Sequence, residues 1–508
     1  MSSDNSNNIT SLFLRAAKQF SEVTAIVEGE KQITYKQLEW EVKNYAAYLL
    51  RKGIRPGDRI LIFVPMSIDL YKIVLAIFHI GAVAVFLDEW VNLKRMELCC
   101  KIANCKALIT PWKFRIVSVF SKELRSIPVK LNISGDGNTS HASIYPALPD
   151  DTALITFTTG STGNPKAANR THRFLQQQYF ALQPILPSTS KIDMTLLPIV
   201  LLLNLGTGKT SVIVKFNPRK PASFDAELIY NQLKNNHVQS LTFSPFFLVE
   251  TAKYLVNNAL HLPELKSIIS GGGPVFPVDA EIIKKAFPDN KCTIVYGSTE
   301  SEPISHTGIN EFLATSNMVN TDKGLYVGKV DDAATVKVIP IVEGEVNSIE
   351  SLPSGNVGEI IVSGAHVLTS YFNSEDAFRL NKIQFNNTIW HRTGDAGWLN
   401  EKNELFLMGR CKQIIRWNNI QLYPFLMEHY LKSIPGVLSG TIIEFRNEPW
   451  ITIQTEHNVM REEILSALKI SGYSALKIIF IKQIPMDKRH NTKIDYDGLR
   501  DILKKKIP

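Results

Sequence analysis

The first half of the chain alternates amphipathic helices with short, wholly apolar segments, and this alternation strongly constrains the fold. Apolar residues recur at helical spacing between Tyr35 and Gly53. A turn around Gly57 leads into an apolar strand that ends at Pro65. The next helical segment is followed by the apolar strand GAVAVFL. Buried strands separated by helices predict parallel α/β layering.

The pattern changes after Gly409-Arg410, where a strand-rich region gives way to a compact unit with helices near both its ends. We place a boundary near residues 410–412. The predicted fold class is α/β, with a large N-terminal domain of layered mixed sheets and helices over residues 1–409. A small α+β domain over residues 410–508 follows, and a hinge joins the two.

Composition limits the possible classes of protein. Hydrophobic residues make up 44% and charged residues 20% of the 508 residues, which is typical of globular chains. A net charge of +8 suits anionic small molecules as well as nucleic acid and does not choose between them. Five cysteines in so long a chain do not form a disulfide scaffold, and the group Cys99, Cys100 and Cys105 lacks zinc-like spacing. We expect these thiols to be buried or half-buried, in a protein of a reducing compartment.

The N-terminus lacks the basic and apolar regions of a signal peptide. The most apolar stretch, residues 73–87, is interrupted by His79 and Gly81 and is shorter than the ~18–20 residues that cross a bilayer. We therefore expect a cytoplasmic protein without a membrane span.

The strongest local motif follows the apolar segment ALITF and is rich in glycine and hydroxyl side chains. Its residues are Thr158, Thr159, Gly160, Ser161, Thr162, Gly163, Asn164, Pro165 and Lys166. Glycines let the backbone approach a ligand closely, and hydroxyls with exposed N–H groups suit phosphate oxygens. The lysine adds positive charge. A plain surface turn is the alternative interpretation.

Two further clusters carry polar groups at predicted strand ends. The segment Tyr296, Gly297, Ser298, Thr299 and Glu300 follows the strand CTIV. It offers a ring that can stack on a base, hydroxyls for phosphate and a carboxylate for Mg²⁺.

Upstream, the strand IIS ends in Gly271, Gly272 and Gly273, whose backbone admits a flat ring at close range. Each of these two clusters could also be a tight strand–helix turn.

A third cluster contains Asp395, predicted to follow a tight turn, and Arg410. An aspartate can accept both ribose hydroxyls, and an arginine can donate to them or to a phosphate. Residues 488–494 form a fourth cluster, which includes Arg489, His490 and Lys493. A solvated turn is the alternative for this last segment.

The segment Gly206–Thr210 looks like the end of a phosphate-binding Walker loop. That motif requires a glycine where this chain has Leu203, so we interpret the segment as an ordinary loop.

In this order, the four motifs resemble the adenylate-forming superfamily, which includes acyl-CoA synthetases, luciferases and the adenylation domains of peptide synthetases. The resemblance runs from about Ile33 to the last helix. It implies that residues 158–166 grip the triphosphate of ATP, and that residues 271–273 with Tyr296 form the adenine slot.

The same resemblance implies roles for the remaining motif residues. Thr299 would lie at the α-phosphate, Glu300 would be associated with Mg²⁺, and Gly297 and Ser298 would belong to the nucleotide site. Asp395 would accept the ribose hydroxyls with Arg410 as its partner. Lys412 would lie at the hinge. Lys493 would be the catalytic lysine, and we expect Arg489 and His490 of the same loop to act with it and Glu300.

One subgroup of this superfamily resembles the chain more closely than the others. The β-lactone synthetases of olefin pathways carry an Arg-His-Asn-x-Lys-Ile signature, which reads RHNTKI at residues 489–494. The segments YGSTESEP and WHRTGDAGWL also resemble that subgroup. This chain departs from the wider family at Ala167 and at Asn419, where glycine is usual. A side chain at Asn419 would narrow the pantetheine path of thioester-forming members.

The segment at residues 198–204 is apolar and has no acidic residue to pair with an α-ammonium group, so an amino-acid substrate is disfavoured. An apolar wall suits an alkyl chain, although the segment could also be ordinary core. ATP and Mg²⁺ are the implied cofactors. The implied partner is a small-molecule carboxylic acid, with a pathway enzyme or carrier protein as a further partner and no nucleic acid.

Three functions remain open. The first is ATP-dependent adenylation of a β-hydroxy fatty acid, or a related natural-product acid, followed by intramolecular closure to a β-lactone. The second is an acyl-CoA or acyl-AMP ligase that passes the acyl group to CoA, a carrier protein or an amine. The third is a nucleotide-binding protein that has lost catalysis, which the presence of Lys166, Glu300, Asp395, Arg410 and Lys493 disfavours.

Overall fold

The structure is a computed structural model of the chain. It describes residues 7–87, 93–112, 121–159, 165–217, 223–318, 323–456, 461–470, 473, 476–487 and 492–507. Gly160, Ser161, Thr162, Gly163, Arg489 and His490 lie outside the described residues.

A six-stranded sheet accounts for the alternation in the first half of the chain. In spatial order its strands are β6 (Val129–Leu131), β5 (Ala107–Ile109), β3 (Arg59–Ile62), β4 (Val83–Phe86), β7 (Thr152–Thr159) and β8 (Pro165–Thr171). The first five are mutually parallel, and β8 returns antiparallel to β7. The predicted parallel layering is confirmed.

A second, fourteen-stranded sheet combines a parallel half with an antiparallel half. The parallel half contains β1 (Thr24–Glu28), β9 (Ile192–Thr195), β10 (Thr210–Ile213), β11 (Ser240–Phe243), β12 (Ser267–Ser270) and β13 (Lys291–Ser298), with β2 (Lys31–Thr34) antiparallel at its edge. The antiparallel half contains β14 (Ser301–Gly308), β15 (Leu325–Val330), β16 (Thr335–Ile339), β17 (Gly358–Ser363), β18 (Lys382–Phe385), β19 (Thr388–Leu399) and β20 (Glu404–Arg410).

Helices pack against both sheets and enclose apolar cores between the layers. In the first part of the chain they are α1 (Thr10–Gln19), α2 (Tyr35–Arg51), α3 (Ile68–His79), α4 (Leu93–Ala103), α5 (Lys122–Ser126), α6 (His172–Leu182), α7 (Pro198–Thr207), α8 (Ala226–Asn235), α9 (Pro245–Asn257), α10 (Pro277–Ala286), α11 (Ile309–Met318) and α12 (Glu375–Asn381). Thr34 begins α2 with a capping box that includes Gln37, as expected for a helix of this kind.

The C-terminal region forms a small α+β unit with its own apolar clusters. Its elements are a hairpin of β21 (Ile415–Trp417) and β22 (Ile420–Leu422), a sheet of β23 (Val437–Phe445), β24 (Glu448–Thr455) and β25 (Lys477–Phe480), and the helices α13 (Pro424–Ser433), α14 (Arg461–Ile470) and α15 (Tyr496–Lys506). The predicted fold class, a large layered domain followed by a small α+β domain, is therefore confirmed.

Two local predictions were wrong. Asp395 does not follow a tight turn, because β19 continues through it and only Gly394 adopts a left-handed backbone, with a φ of 70°. Gly206 and Thr207 end α7, and Gly208 caps that helix, so the segment is mainly a helix end and not a loop. In both cases long-range strand pairing or helix packing decides the backbone where the local composition favours a turn.

Within the described residues, none of the helices has the length and apolar character needed to cross a bilayer. The five cysteines are free, and four of them, including Cys99, Cys100 and Cys105, are buried as predicted.

Candidate active site

The glycine- and hydroxyl-rich motif lies at the end of the hairpin formed by β7 and β8. The backbone of Thr158 pairs with Lys166, and that of Thr159 pairs with Pro165, so Lys166 is held on a strand close to the hairpin end. Lys166 Nζ donates a hydrogen bond to Asn381 Oδ1 at 2.7 Å. It also lies 5.7 Å from the centre of the Tyr371 ring.

Thr299 and Glu300 form the turn between β13 and β14, which are joined as an antiparallel hairpin. Gly297 and Ser298 belong to β13 itself. Arg170 Nη2 donates to the Thr299 carbonyl at 3.1 Å, which ties this turn to β8. Glu300 is only 7% exposed, and the Tyr371 hydroxyl donates to its Oε1 at 3.4 Å. The two hairpins therefore bring Lys166 and Glu300 to the same region.

Asp395 lies between a tyrosine and an arginine. The Tyr296 hydroxyl donates to Asp395 Oδ2 at 2.7 Å, and Arg410 Nε lies 3.1 Å from Oδ1. Arg410 Nη1 also donates to the Thr393 carbonyl at 3.1 Å. These contacts follow from register, because Asp395 and Arg410 are cross-strand partners on β19 and β20.

The C-terminal loop that carries Lys493 contacts the glycine triad. Gly271, Gly272 and Gly273 follow β12, and a Cβ atom at Gly273 would lie 2.5 Å from Thr492 Oγ1. A side chain at this position would thus obstruct the close approach of the loop. The main-chain N–H groups of Thr492 and Lys493 both donate to Asp487 Oδ1, at 3.0 and 2.8 Å.

Helix α13 of the C-terminal unit packs on the start of α10. The Phe276 ring stacks with His429 at a centroid distance of 5.5 Å and lies equally far from Phe425. Lys432 Nζ lies 2.7 Å from Asp279 Oδ2, whose side chain is 6% exposed. These contacts hold the small unit beside the glycine triad in this structure.

Burial controls the charges near Glu300. It lowers the pKa of Lys166, and the Glu300 carboxylate opposes part of that shift. Burial lowers the pKa of Lys382 to about 7. The pKa of His391 lies well below its usual range, mainly because the ring is buried and secondly because Lys382 is nearby. His391 is therefore neutral at physiological pH.

Burial and charge together have the opposite effect on the pKa values of Arg410 and Tyr296 beside Asp395. Asp395 raises the pKa of Arg410, so this guanidinium stays charged. Burial, followed by the charge of Asp395, raises the pKa of Tyr296, so its hydroxyl remains a donor.

The model of the AMP-binding enzyme family matches residues 13–372. The chain belongs to this family. It is an adenylate-forming ligase, as the motif order predicted.

Curated relatives of this family member cover nearly the whole chain. An olefin β-lactone synthetase of Xanthomonas campestris pv. campestris is 26% identical over 509 residues, covering 92% of this chain and 90% of the relative. A putative acyl-CoA ligase of Bacillus subtilis is 25% identical and covers 96% of this chain and 98% of the relative. The 4-coumarate–CoA ligase 2 of Nicotiana tabacum is 23% identical, and the match covers 92% of this chain and 88% of the relative.

Solved structures share the fold of this AMP-binding enzyme. The amide bond synthetase McbA of Marinactinospora thermotolerans superposes with a TM-score of 0.81 at 18% identity, covering 97% of this chain and 99% of its own. ATP-bound MatB of Rhodopseudomonas palustris also gives 0.81, at 19% identity, covering 99% of this chain and 100% of its own.

Sequence reasoning missed several residues of this site, namely Arg170, Tyr371, Asn381 and Lys382, whereas His391 begins the segment HRTGD that contains Asp395. The missed residues surround Lys166 and Glu300, but none belongs to a glycine- or hydroxyl-rich motif. Lys382 begins the strand KIQF, and no local pattern in this short mixed sequence indicates that the lysine is buried.

The apolar segment at residues 198–204 forms most of α7. Ile199, Leu202 and Leu203 line a small cavity together with Phe13 of α1 and Leu75 of α3. Asn204 faces elsewhere and donates from Nδ2 to the buried Asp193 carboxylate at 2.8 Å.

Asn419 lies at the tip of the β21–β22 hairpin. Its φ of 61° is the left-handed backbone that asparagine tolerates, and the side chain is exposed.

Proposed function

We propose that this enzyme adenylates a β-hydroxy carboxylic acid with a long alkyl chain and then closes the activated acid to a β-lactone. One observation supports adenylation above the others. The loop that carries Lys493 contacts Gly273, beside the strand that presents Tyr296 and the turn that presents Glu300. A mobile small domain, over residues 410–508, is part of this proposal.

In this proposal the nucleotide lies between the two hairpins and the glycine triad. Residues 158–166 hold the triphosphate, with Lys166 supplying positive charge. Tyr296 and residues 271–273 hold the adenine, and Thr299 lies at the α-phosphate. Gly297 and Ser298 also belong to this nucleotide site.

Asp395 accepts the ribose hydroxyls while Arg410 fixes its orientation. The bonds from Tyr296 and Arg410 engage one oxygen each, which leaves lone pairs on both oxygens for the ribose.

Glu300 is the acid that would hold Mg²⁺. Among the described residues no group of three or more acidic, histidine or cysteine side chains could hold a metal by itself. One carboxylate together with substrate phosphate oxygens is a usual way to hold Mg²⁺, so the site fits the ion. When bound, the ion would neutralise charge on the phosphates.

Catalysis then depends on electrostatics. A carboxylate that attacks a phosphate meets charge repulsion, and the Lys493 ammonium offsets the charge that develops in the transition state. Arg489 and His490 belong to the same loop, and we propose that they assist Lys493. The carboxylate oxygen bonds to the α-phosphorus, and pyrophosphate leaves.

Two sequence features support lactone closure as the second step. RHNTKI resembles the lactone-forming subgroup, and Asn419 replaces a glycine that thioester-forming relatives usually carry. The β-hydroxyl oxygen would attack the activated carbonyl, lose its proton and release AMP. Intramolecular attack has a large effective-molarity advantage, which strain in the four-membered ring partly offsets. The apolar sequence of residues 198–204 supports an alkyl substrate.

The second candidate is an acyl-CoA or acyl-AMP ligase. The similarity to a putative acyl-CoA ligase over 96% of the chain favours it. The acceptor would then be CoA, a carrier protein or an amine.

Pyrophosphate release tests the first half of the proposal. We expect release when ATP, Mg²⁺ and a carboxylic acid are present together, and background release when any one is omitted. Release that does not depend on the acid would contradict adenylation. Mass spectrometry of the products from a panel of β-hydroxy acids, with and without CoA, identifies the acceptor.

A further inference from the structure

Residues 367–372, here called the strap, connect the two hairpins of the site. At one end Val367 pairs with Ser301, and the Leu368 N–H donates to the Glu300 carbonyl at 2.7 Å. At the other end Tyr371 pairs with Ala168. The strap therefore links the backbone of Glu300 to the strand that carries Lys166.

Lys382 forms a hydrogen bond to the backbone of the strap. It is the first residue of β18, is 3% exposed, and donates from Nζ to the Leu368 carbonyl. The same ammonium lies 5.5 Å from the centre of the Tyr371 ring. Tyr371 in turn donates to Glu300 Oε1. Lys382 thus reaches Glu300 both through the backbone of Leu368 and through the side chain of Tyr371.

Asn381, the residue before Lys382, contacts Lys166 on the other hairpin of the site. Asn381 Oδ1 accepts from Lys166 Nζ at 2.7 Å, and the Asn381 carbonyl lies 3.2 Å from His391 Nδ1. Of these two consecutive residues, Asn381 therefore contacts Lys166 itself, and Lys382 contacts the two residues that bond to Glu300.

A lysine at this position has an energetic cost. A buried ammonium loses its hydration, and one carbonyl oxygen replaces little of it. A methionine of similar length would fill the same space without that cost. Burial lowers the pKa of Lys382 to about 7, so the side chain is only partly charged near neutral pH, and its contact with the strap is the hydrogen bond to the Leu368 carbonyl.

We propose that Lys382 is a positioning residue for adenylation, which fixes the strap so that Glu300 and Lys166 keep their places around the bound triphosphate. This inference rests on the proposed function. It goes beyond it by assigning a role to a residue outside the four motifs.

The test compares Lys382→Met with the wild type and with Lys329→Met, an exposed lysine substitution on β15 that serves as the matched control. We expect kcat for acid-dependent pyrophosphate release to fall about 10- to 100-fold in Lys382→Met, as for other residues that orient a catalytic group. The thermal midpoint should stay equal or rise, and the stabilisation produced by Mg·ATP should decrease. Lys329→Met should match the wild type.

Tyr371→Phe provides a second variant, because it keeps the ring and removes the hydroxyl that bonds Glu300. It should lower kcat in the same direction, and it decides the matter if Lys382→Met does not fold. Wild-type kcat in a folded Lys382→Met variant, or activity loss that only tracks lost stability, would overturn the inference. A wild-type enzyme without acid-dependent pyrophosphate release would instead contradict the proposed function itself.

Discussion

Asp395 illustrates how one side chain organises the proposed nucleotide site. Its two oxygens are engaged by Tyr296 and Arg410, which come from two other strands of the same sheet. Removal of its charge should therefore weaken nucleotide binding more than it weakens the fold.

We predict that Asp395→Asn raises the KM for ATP about 10- to 100-fold, as expected for loss of hydrogen bonds to a charged group. Initial rates at varied ATP concentration measure the effect. Asp376→Asn, an exposed change on α12, is the control. An unchanged KM in a folded Asp395→Asn variant would remove Asp395 from the proposed ribose site.

Lys493→Ala should lower the adenylation rate by ~10²–10³, as for removal of one preorganised donor. The side chain is exposed on a loop, so its loss opens no core cavity and the thermal midpoint should be unchanged. Pyrophosphate release and thermal unfolding measure the two effects. Lys482→Ala, another exposed lysine of the C-terminal unit, is the control. Near-normal adenylation by Lys493→Ala would show that another residue has this role.

Sequence alone could identify the local motifs as candidates, because glycines and hydroxyls cluster at predicted strand ends, and the roles of these residues stay predictions. Residues such as Lys382 and Arg170 could not be identified in this way. Their proximity to the site depends on the pairing of β18 with β19 and on the bond from Arg170 to Thr299, across 129 residues of chain.

At the scale of elements, α15 is anchored at its first turn by a buried network. The Tyr496 hydroxyl lies 2.5 Å from Glu428 Oε1 on α13 and 2.9 Å from Thr441 Oγ1 on β23. This network fixes the start of the helix that follows Lys493. Burial raises the pKa of Glu428 to about 7.

The raised pKa predicts a dependence of stability on pH. The folded state favours the protonated carboxyl, so its contribution is complete below the unfolded pKa near 4.5 and is lost as pH rises through about 7. The unfolding free energy of the wild type, relative to Glu428→Gln, should therefore fall by on the order of 2 kcal/mol between about pH 5 and pH 8.

Denaturant unfolding at several pH values checks this expectation. Glu444→Gln on the exposed face of β23 is the control and should follow the wild type. If the unfolding free energies of the wild type and Glu428→Gln changed equally with pH, the raised pKa of Glu428 would be contradicted.

Helices with clear periodicity were predicted within a few residues; the segment at residues 35–53 contains α2 (Tyr35–Arg51). The path of β19 through Gly394 and Asp395 was not predicted, because the local sequence favours a turn. Asp395 pairs with Arg410 of β20, and β17 pairs with β19 on both sides of residues 393–395, so the chain stays within the strand while Gly394 takes the left-handed backbone of the irregularity.

At the scale of the whole molecule, the small C-terminal unit lies against the large one through α13 and the loop of Lys493. This arrangement suits an enzyme whose two proposed steps both occur at the activated carboxyl group. Lactone closure needs no second acceptor, so we predict that CoA is not consumed.

The most direct measurement compares a long-chain β-hydroxy acid with the same acid lacking the hydroxyl. Each is incubated with ATP and Mg²⁺, with and without CoA, and the products are identified by mass spectrometry. We predict a β-lactone from the hydroxy acid whether or not CoA is present, and only the acyl-adenylate from the acid without the hydroxyl. Thioester formed from both acids at similar rates on addition of CoA would contradict the lactone proposal and favour the acyl-CoA ligase.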